Sequence, residues 1–180
     1  MDPRTVIRRS EIPAHGLQLD MLWDAALLDQ LPESRRLPVE PPVRLEMRLG
    51  IEGRRVVLDG TCHARGVCVC VRCLERFTVP LSLTFRYVFQ PADMQDAHAK
   101  VQLGAADIEV VPYDGEHIDL AVPVCEQINL GLPAYPHCSP DCRGLCAQCG
   151  ANLNSGACGC TDGPGPRSPF AVLGTLKKKK

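Results

Sequence analysis

Six cysteines fall within 23 residues, Cys138, Cys142, Cys146, Cys149, Cys158 and Cys160, and no other feature limits the possible folds of this chain so sharply. Thiolates are soft ligands suited to tetrahedral zinc, and the run Cys146–Gly150 (CAQCG) has the short loop and trailing glycine that let two sulfurs face one ion. A tetrahedral ion takes four sulfurs, so six leave a choice. The preferred set is Cys146 and Cys149 with Cys158 and Cys160, two close pairs joined by the polar stretch 151–157. Cys142, beside Asp141, competes for a place in the second pair, and a set of free thiols in a loop is the alternative. No neighbouring residue is suited to act as a general base, which points to a closed structural site rather than a catalytic one with an open position.

A second group lies upstream: Cys62, Cys68, Cys70 and Cys73. Cys70 and Cys73 have knuckle spacing, but they follow one strand-like segment and run into another, whereas a redox pair of the thioredoxin kind opens a helix. Three readings stand: a bare turn, a metal site, a redox pair. Cys70 and Cys73 added to the six downstream make eight sulfurs, enough for two four-sulfur sites, one of which would tie the strands to the tail. Of the histidines only His137, beside Cys138, is placed to reach an ion. No Ser/His/Asp set, paired carboxylates or phosphate-cradling glycine pattern can be argued from spacing, and no enzymatic activity is expected.

The rest of the chain reads as a body for these cysteines. Val43, Leu45, Met47 and Leu49 alternate with Arg44, Glu46 and Arg48, the period of a half-buried strand. Phe77, Val79, Leu81, Leu83, Phe85, Tyr87 and Phe89 alternate over a longer stretch, with Pro80 outward near its start, suggesting an edge or a bulge. Valine-rich segments at Arg54–Asp59 and Gly66–Val71, bounded by glycines, complete a meander of about four strands. Helical spacing appears over Asp20–Leu31, ending at Pro32, and again where Asp119 caps a stripe of Leu120, Val124 and Ile128 with Pro123 in the first turn. Leu37–Pro42 reads as an extended connector and Pro91–Asp107 as a polar loop. The expected class is α+β: an antiparallel β-meander or small open barrel with one or two packed helices and a C-terminal cysteine-rich zinc knuckle. The expected layout is a mostly β core over 1–132 with helices near 20–31 and 119–130, a zinc-binding segment over 133–163, and a basic tail over 164–180.

The 180 residues allow one domain with a small appendage. Eleven cysteines would suit a secreted disulfide framework, but the first 16 residues hold no continuous apolar stretch, so the cytoplasm is expected. No apolar run approaches the roughly 20 residues of a membrane span. Net charge is −1 yet segregated: Met1–Arg86 carries 13 basic and 11 acidic side chains, Tyr87–Gly165 two and ten, and the last 15 residues five basic and no acidic. An acidic middle suits a basic protein, while Lys177, Lys178, Lys179 and Lys180 attract nucleic acid or are simply solvated.

Four segments taken together resemble a known family. They are CVRCLERF at Cys70–Phe77, IDL at Ile118–Leu120, EQINLGLP at Glu126–Pro133, and CSPDCRGLCAQCGANLN at Cys138–Asn154. In this order they resemble the YceD family of bacterial large-subunit ribosomal RNA accumulation proteins, from about Arg44 to the end. The closing run from Ser168 resembles that family's terminal helix and basic end. Cys70 and Cys73 match the family's CxxC, the six downstream cysteines match its C-terminal motif, and Cys62, Cys68 and Cys125 have no counterpart. The resemblance implies a non-enzymatic role in synthesis, processing or stability of 23S rRNA, with structural Zn2+ and no small-molecule substrate. Implied partners are 23S rRNA or its precursor, ribosomal proteins or processing enzymes. Lys177–Lys180 are the expected salt-sensitive RNA contacts, with Arg44, Arg48 and Arg86 on outward strand faces as a second candidate set. The other reading is a zinc-stabilised adaptor that binds a ribosomal protein or processing enzyme without touching RNA.

Overall fold

A computed structural model describes residues 5–92, 110–114 and 116–160. The described elements are β1 (Val6–Arg8), β2 (Leu17–Trp23), α1 (Ala25–Gln30), β3 (Val39–Glu52), β4 (Arg55–Val69), β5 (Arg76–Pro91), β6 (Val110–Tyr113), β7 (His117–Asp119) and α2 (Ala121–Gly131). Five strands form an open sheet in the order β2-β3-β4-β5-β6, and β1 pairs with β7 in a separate two-stranded ribbon. The sheet does not close into a barrel. It is also mixed, because β6 runs parallel to β5, Val88 pairing with Val110 and Pro91 with Tyr113.

The chain divides into two compact units: residues up to Cys68 together with Thr78–Ala134, and Val69–Phe77 together with the chain from Tyr135 onward. The cysteine-rich unit takes in the Cys70–Cys73 turn. In the first unit the alternation of β3 and β5 becomes one buried face. Val43, Leu45, Met47, Leu49, Leu81, Phe85, Tyr87 and Phe89 are buried with Leu58 and Cys62 of β4. Ile118, Leu120, Val124 and Ile128 join the same cluster, so α2 covers this face with its apolar stripe. Its Glu126 accepts a hydrogen bond from the Tyr87 hydroxyl (3.0 Å), which in turn accepts one from Gln127 (2.9 Å). The Asp119 carboxylate accepts from the Ala121 amide at 3.0 Å, which ties down one of the free donors at the helix start.

Two expectations need correction. The helix expected over Asp20–Leu31 is confined to α1, and the residues before it form β2, paired antiparallel with β3 from Leu17↔Leu49 to Trp23↔Val43. The apolar set Leu17, Leu19, Met21, Trp23 has period two, and burial of the Trp23 ring decides for the strand. Asp24 then caps α1, its carboxylate accepting from the Leu27 amide at 2.8 Å. The second correction concerns the segments at Arg54–Asp59 and Gly66–Val71, which belong to the single strand β4, ending at Val69. Gly60 and Gly66 do not break it. A Cβ on Gly60 would lie 2.6 Å from the Phe85 ring, and one on Gly66 2.5 Å from Leu132 Cδ2, so these glycines make room for side chains packed on the inner face.

Pro80 lies in β5 outside the stretch that pairs with β6. The connector Leu37–Pro42 runs into β3, whose pairing with β4 shifts register between Glu40 and Arg44. Of the loop expected over Pro91–Asp107, Pro91 ends β5, and residues 93–107 lie outside the described residues. No described helix is long and apolar enough to cross a membrane.

Candidate metal centres

Both cysteine groups lie within the second unit. The Cys70–Cys73 turn and the Cys146–Cys149 turn fold in the same way. The Arg72 amide donates to Cys70 Sγ (3.5 Å) and the Gln148 amide to Cys146 Sγ (3.4 Å). The Leu74 amide donates to the Cys70 carbonyl and the Gly150 amide to the Cys146 carbonyl, each at 2.9 Å. The first cysteine of each turn donates its own amide to the carbonyl five residues on, Cys70 to Glu75 (2.9 Å) and Cys146 to Ala151 (2.8 Å). Each closed turn thus aims two sulfurs at one point and supplies N–H donors that stabilise a thiolate.

Opposite the first turn stand Cys138 and Cys142; opposite the second, Cys158 and Cys160. The four sulfurs of each group lie within 4.8 Å of one another. Cys70 and Cys142 are 3.8 Å apart and Cys73 and Cys138 3.6 Å, while zinc–sulfur bonds of about 2.3 Å require tetrahedral edges of roughly 3.8 Å. The donor set and spacing therefore suit one tetrahedral ion per group. Four sulfurs and no vacant place make each site closed. His137 is exposed and belongs to neither group.

The thiols respond unequally to this crowding. At Cys70, burial pushes the thiol up but is outweighed by hydrogen bonds from the backbone of Cys138, Cys73 and Arg72, which bring it down to about 5. Backbone amides of Cys149 and Gln148 bring Cys146 down to about 6. The side-chain amide of Asn154, 3.3 Å from its sulfur, lowers Cys142. The remaining sulfurs cannot all ionise beside these: Cys142 and Cys73 push Cys138 up to about 12, and Cys149 pushes Cys160 up to about 12. Each group thus holds thiolate character that a bound cation would complete.

The two sites differ in setting. Cys70, Cys73 and Cys142 are buried and packed against Phe77 and Leu145, forming a small core of their own. Cys149 is exposed and its three partners are only half-buried. The chain between Cys149 and Cys158 also braces the first site. Asn154 accepts from the Arg143 amide (2.8 Å) while donating to Cys142, and Asn152 donates to Glu75 at 2.7 Å. Arg72 donates to the Cys142 carbonyl at 3.0 Å. Spacing gave no hint of Asn154; an amide one turn beyond a CxxC is a common surface residue until its sulfur partner is seen.

Arg44, Arg48 and Arg86 are exposed, on strands of the first unit. They share that face with acids. Arg48 stands opposite Asp59 across β3 and β4, and Arg86 lies 3.7 Å from the same Asp59 carboxylate. Lys177, Lys178, Lys179 and Lys180 lie outside the described residues, as does the tail from residue 161. Cys62, Cys68 and Cys125, buried in the first unit, join neither group.

An open α+β sheet protein carrying two four-cysteine groups is the class that fold and site define. Residues 58–177 match the family described as Large ribosomal RNA subunit accumulation protein YceD, and the chain belongs to that family. Uncharacterized proteins of Mycobacterium bovis and Mycobacterium tuberculosis are each 32% identical over 142 residues, covering 78% of this chain and 58% of theirs. An uncharacterized protein of Mycobacterium leprae is 31% identical over 119 residues, 62% of this chain and 49% of its own. The chain thus spans less than two thirds of the length of these curated relatives. No solved structure matches it.

Proposed function

We propose that this chain is a non-enzymatic factor for accumulation of the large ribosomal subunit, acting in the cytoplasm on synthesis, processing or stability of 23S rRNA, with two structural zinc ions. The observation that carries the reading is the pair of closed four-sulfur groups in a chain of this family. A closed site has no position for substrate or activated water, so its use is to order the chain around it. Zinc binding supplies folding energy to a segment whose described residues form only a small apolar core of their own.

Within this reading Lys177–Lys180, with Arg44, Arg48 and Arg86, contact RNA phosphate. Removing the four lysines should then flatten the dependence of RNA affinity on salt. A second reading, an adaptor that binds a ribosomal protein or processing enzyme and leaves RNA untouched, is favoured by the ten acidic against two basic residues of Tyr87–Gly165. Ribosome profiles of a deletion strain test the role itself: a selective loss of large subunits is expected, and an unchanged profile would remove it. Crosslinking in cells separates direct from indirect RNA contact.

A further inference from the structure

The five-stranded sheet has two edges, and they are unlike. β6 forms one with four residues, and Pro112 among them has no N–H to offer. β2 forms the other with seven residues, LQLDMLW, paired to β3 in unbroken register from Leu17↔Leu49 to Trp23↔Val43. It holds no proline, glycine, lysine or bulge, the usual means by which an edge is kept from pairing further. Alternate residues of such a strand turn N–H and C=O away from their neighbour. Among the described residues, nothing outside the ladder to β3 hydrogen-bonds to the backbone of β2.

The side chains of β2 divide by face. Leu17, Leu19 and Met21 are half-buried against the core, while Gln18, Asp20 and Leu22 are exposed, Leu22 to 59%. Asp20 stands directly opposite Glu46, a like-charged pair that destabilises an antiparallel ladder. Its diagonal neighbours are Arg48, opposite Gln18, and Arg44, opposite Leu22. Among the described ion pairs none joins Asp20 to either arginine. A cation on the side of Asp20 away from β3 would offset the repulsion. A second copy of β2 does not supply one, since two such strands paired antiparallel about their midpoints bring Asp20 against Asp20.

We propose that β2 accepts an extended segment of another protein as a sixth strand of the sheet. Apolar side chains of that segment continue the row of Leu17, Leu19 and Met21, and a lysine or arginine on its other face lies beside Asp20. In strand addition of this kind main-chain hydrogen bonds supply affinity, and the alternating side chains supply selectivity. The charge that disfavours a second copy is the one that selects a basic segment. The role needs neither bound zinc nor contact with RNA, and it gives protein binding a defined place on the first unit.

The test titrates the full-length chain with short labelled peptides that alternate valine with lysine, valine with glutamate or serine with lysine, and with single-stranded oligouridylate. Amide hydrogen exchange is followed over β2. The valine–lysine peptide should bind best and slow exchange there, because new ladder bonds form on the open side of the strand. Asp20→Lys should weaken that peptide by about tenfold and make the valine–glutamate peptide the better ligand. Its melting temperature should be no lower than before, since a lysine opposite Glu46 replaces a like pair with an opposite one. Asp20→Asn, which keeps the side chain's size, should narrow the difference between the two valine peptides. Peptide binding that leaves exchange in β2 unchanged, or a preference that neither variant alters, would overturn the proposal. So would any result that gives the edge another occupant. Oligouridylate that slows exchange in β2 would make it an RNA contact. Peptide binding that tightens about tenfold when residues 161–180 are removed would assign it to the chain's own tail. Protection of β2 that rises with protein concentration alone would assign it to a second copy.

Discussion

Single residues in this protein are chosen by what approaches them. Gly60 sits under the Phe85 ring, and the 2.6 Å that a Cβ would find there is closer than packed carbon atoms come. Because Phe85 is held in the core, Gly60→Ala should destabilise the first unit by about 1–3 kcal/mol, read as a lower denaturant midpoint with an unchanged slope. Asn154 is chosen by a sulfur. Its amide donates to Cys142, and loss of such an outer bond typically costs about 10- to 100-fold in metal affinity. Asn154→Ala should therefore weaken zinc at the Cys70–Cys142 site by that factor in a chelator competition, and the Cys146–Cys160 site by less. Neither role was legible beforehand. Gly60 and Gly66 looked like strand punctuation and Asn154 like part of a polar turn, because a close approach across the fold leaves no local pattern.

At the scale of elements, the two CxxC turns are the most self-specified parts of the chain. Their spacing, a trailing residue with a left-handed backbone and the amides that converge on sulfur are all local, so a short sequence encodes each half-site. The second half of each site is contributed from elsewhere, so a bound ion would act as a cross-link. Cys70→Ser should remove one zinc per chain and Cys149→Ser the other, each leaving the remaining ion bound as measured by metal analysis. Full chelation should abolish hydrogen-exchange protection over residues 69–77 and 135–160. β2 and α1 show the opposite case. Met21, Leu22, Ala25 and Leu28 fit a helix as well as Leu17, Leu19, Met21 and Trp23 fit a strand. The ladder to β3 and the buried Trp23 select between them.

For the molecule as a whole, buried thiols that no metal uses set an alkaline limit. Burial pushes Cys62 and Cys125 from the ordinary 9.0 up to about 11, with Arg35 and Asp119 acting in opposite senses on Cys125. Between those values the unfolded chain has released these protons while the folded one retains them. Unfolding then sheds protons, and stability falls as pH rises through that window; below 9 these two thiols have no effect. The melting temperature should therefore decline from about pH 9 to about pH 11, and Cys125→Ala should make the decline shallower. Acid acts on the two four-cysteine groups: protons compete with zinc for thiolate, so metal affinity falls as pH falls.

What the sequence determined by itself was whatever depends on neighbours along the chain. The alternation of β3 and β5 placed the buried face, the stripe of Leu120, Val124 and Ile128 placed α2, and the spacing of Cys146, Cys149, Cys158 and Cys160 grouped four sulfurs. Tertiary structure alone decided that Cys70 and Cys73 meet Cys138 and Cys142, that β4 is one strand, and that β6 joins the sheet in parallel. The physical reason is the same in each case. A period of two or 3.6 residues is written in adjacent side chains, whereas a sulfur 65 residues away in sequence and 3.6 Å away in space is brought there by the packing of everything between.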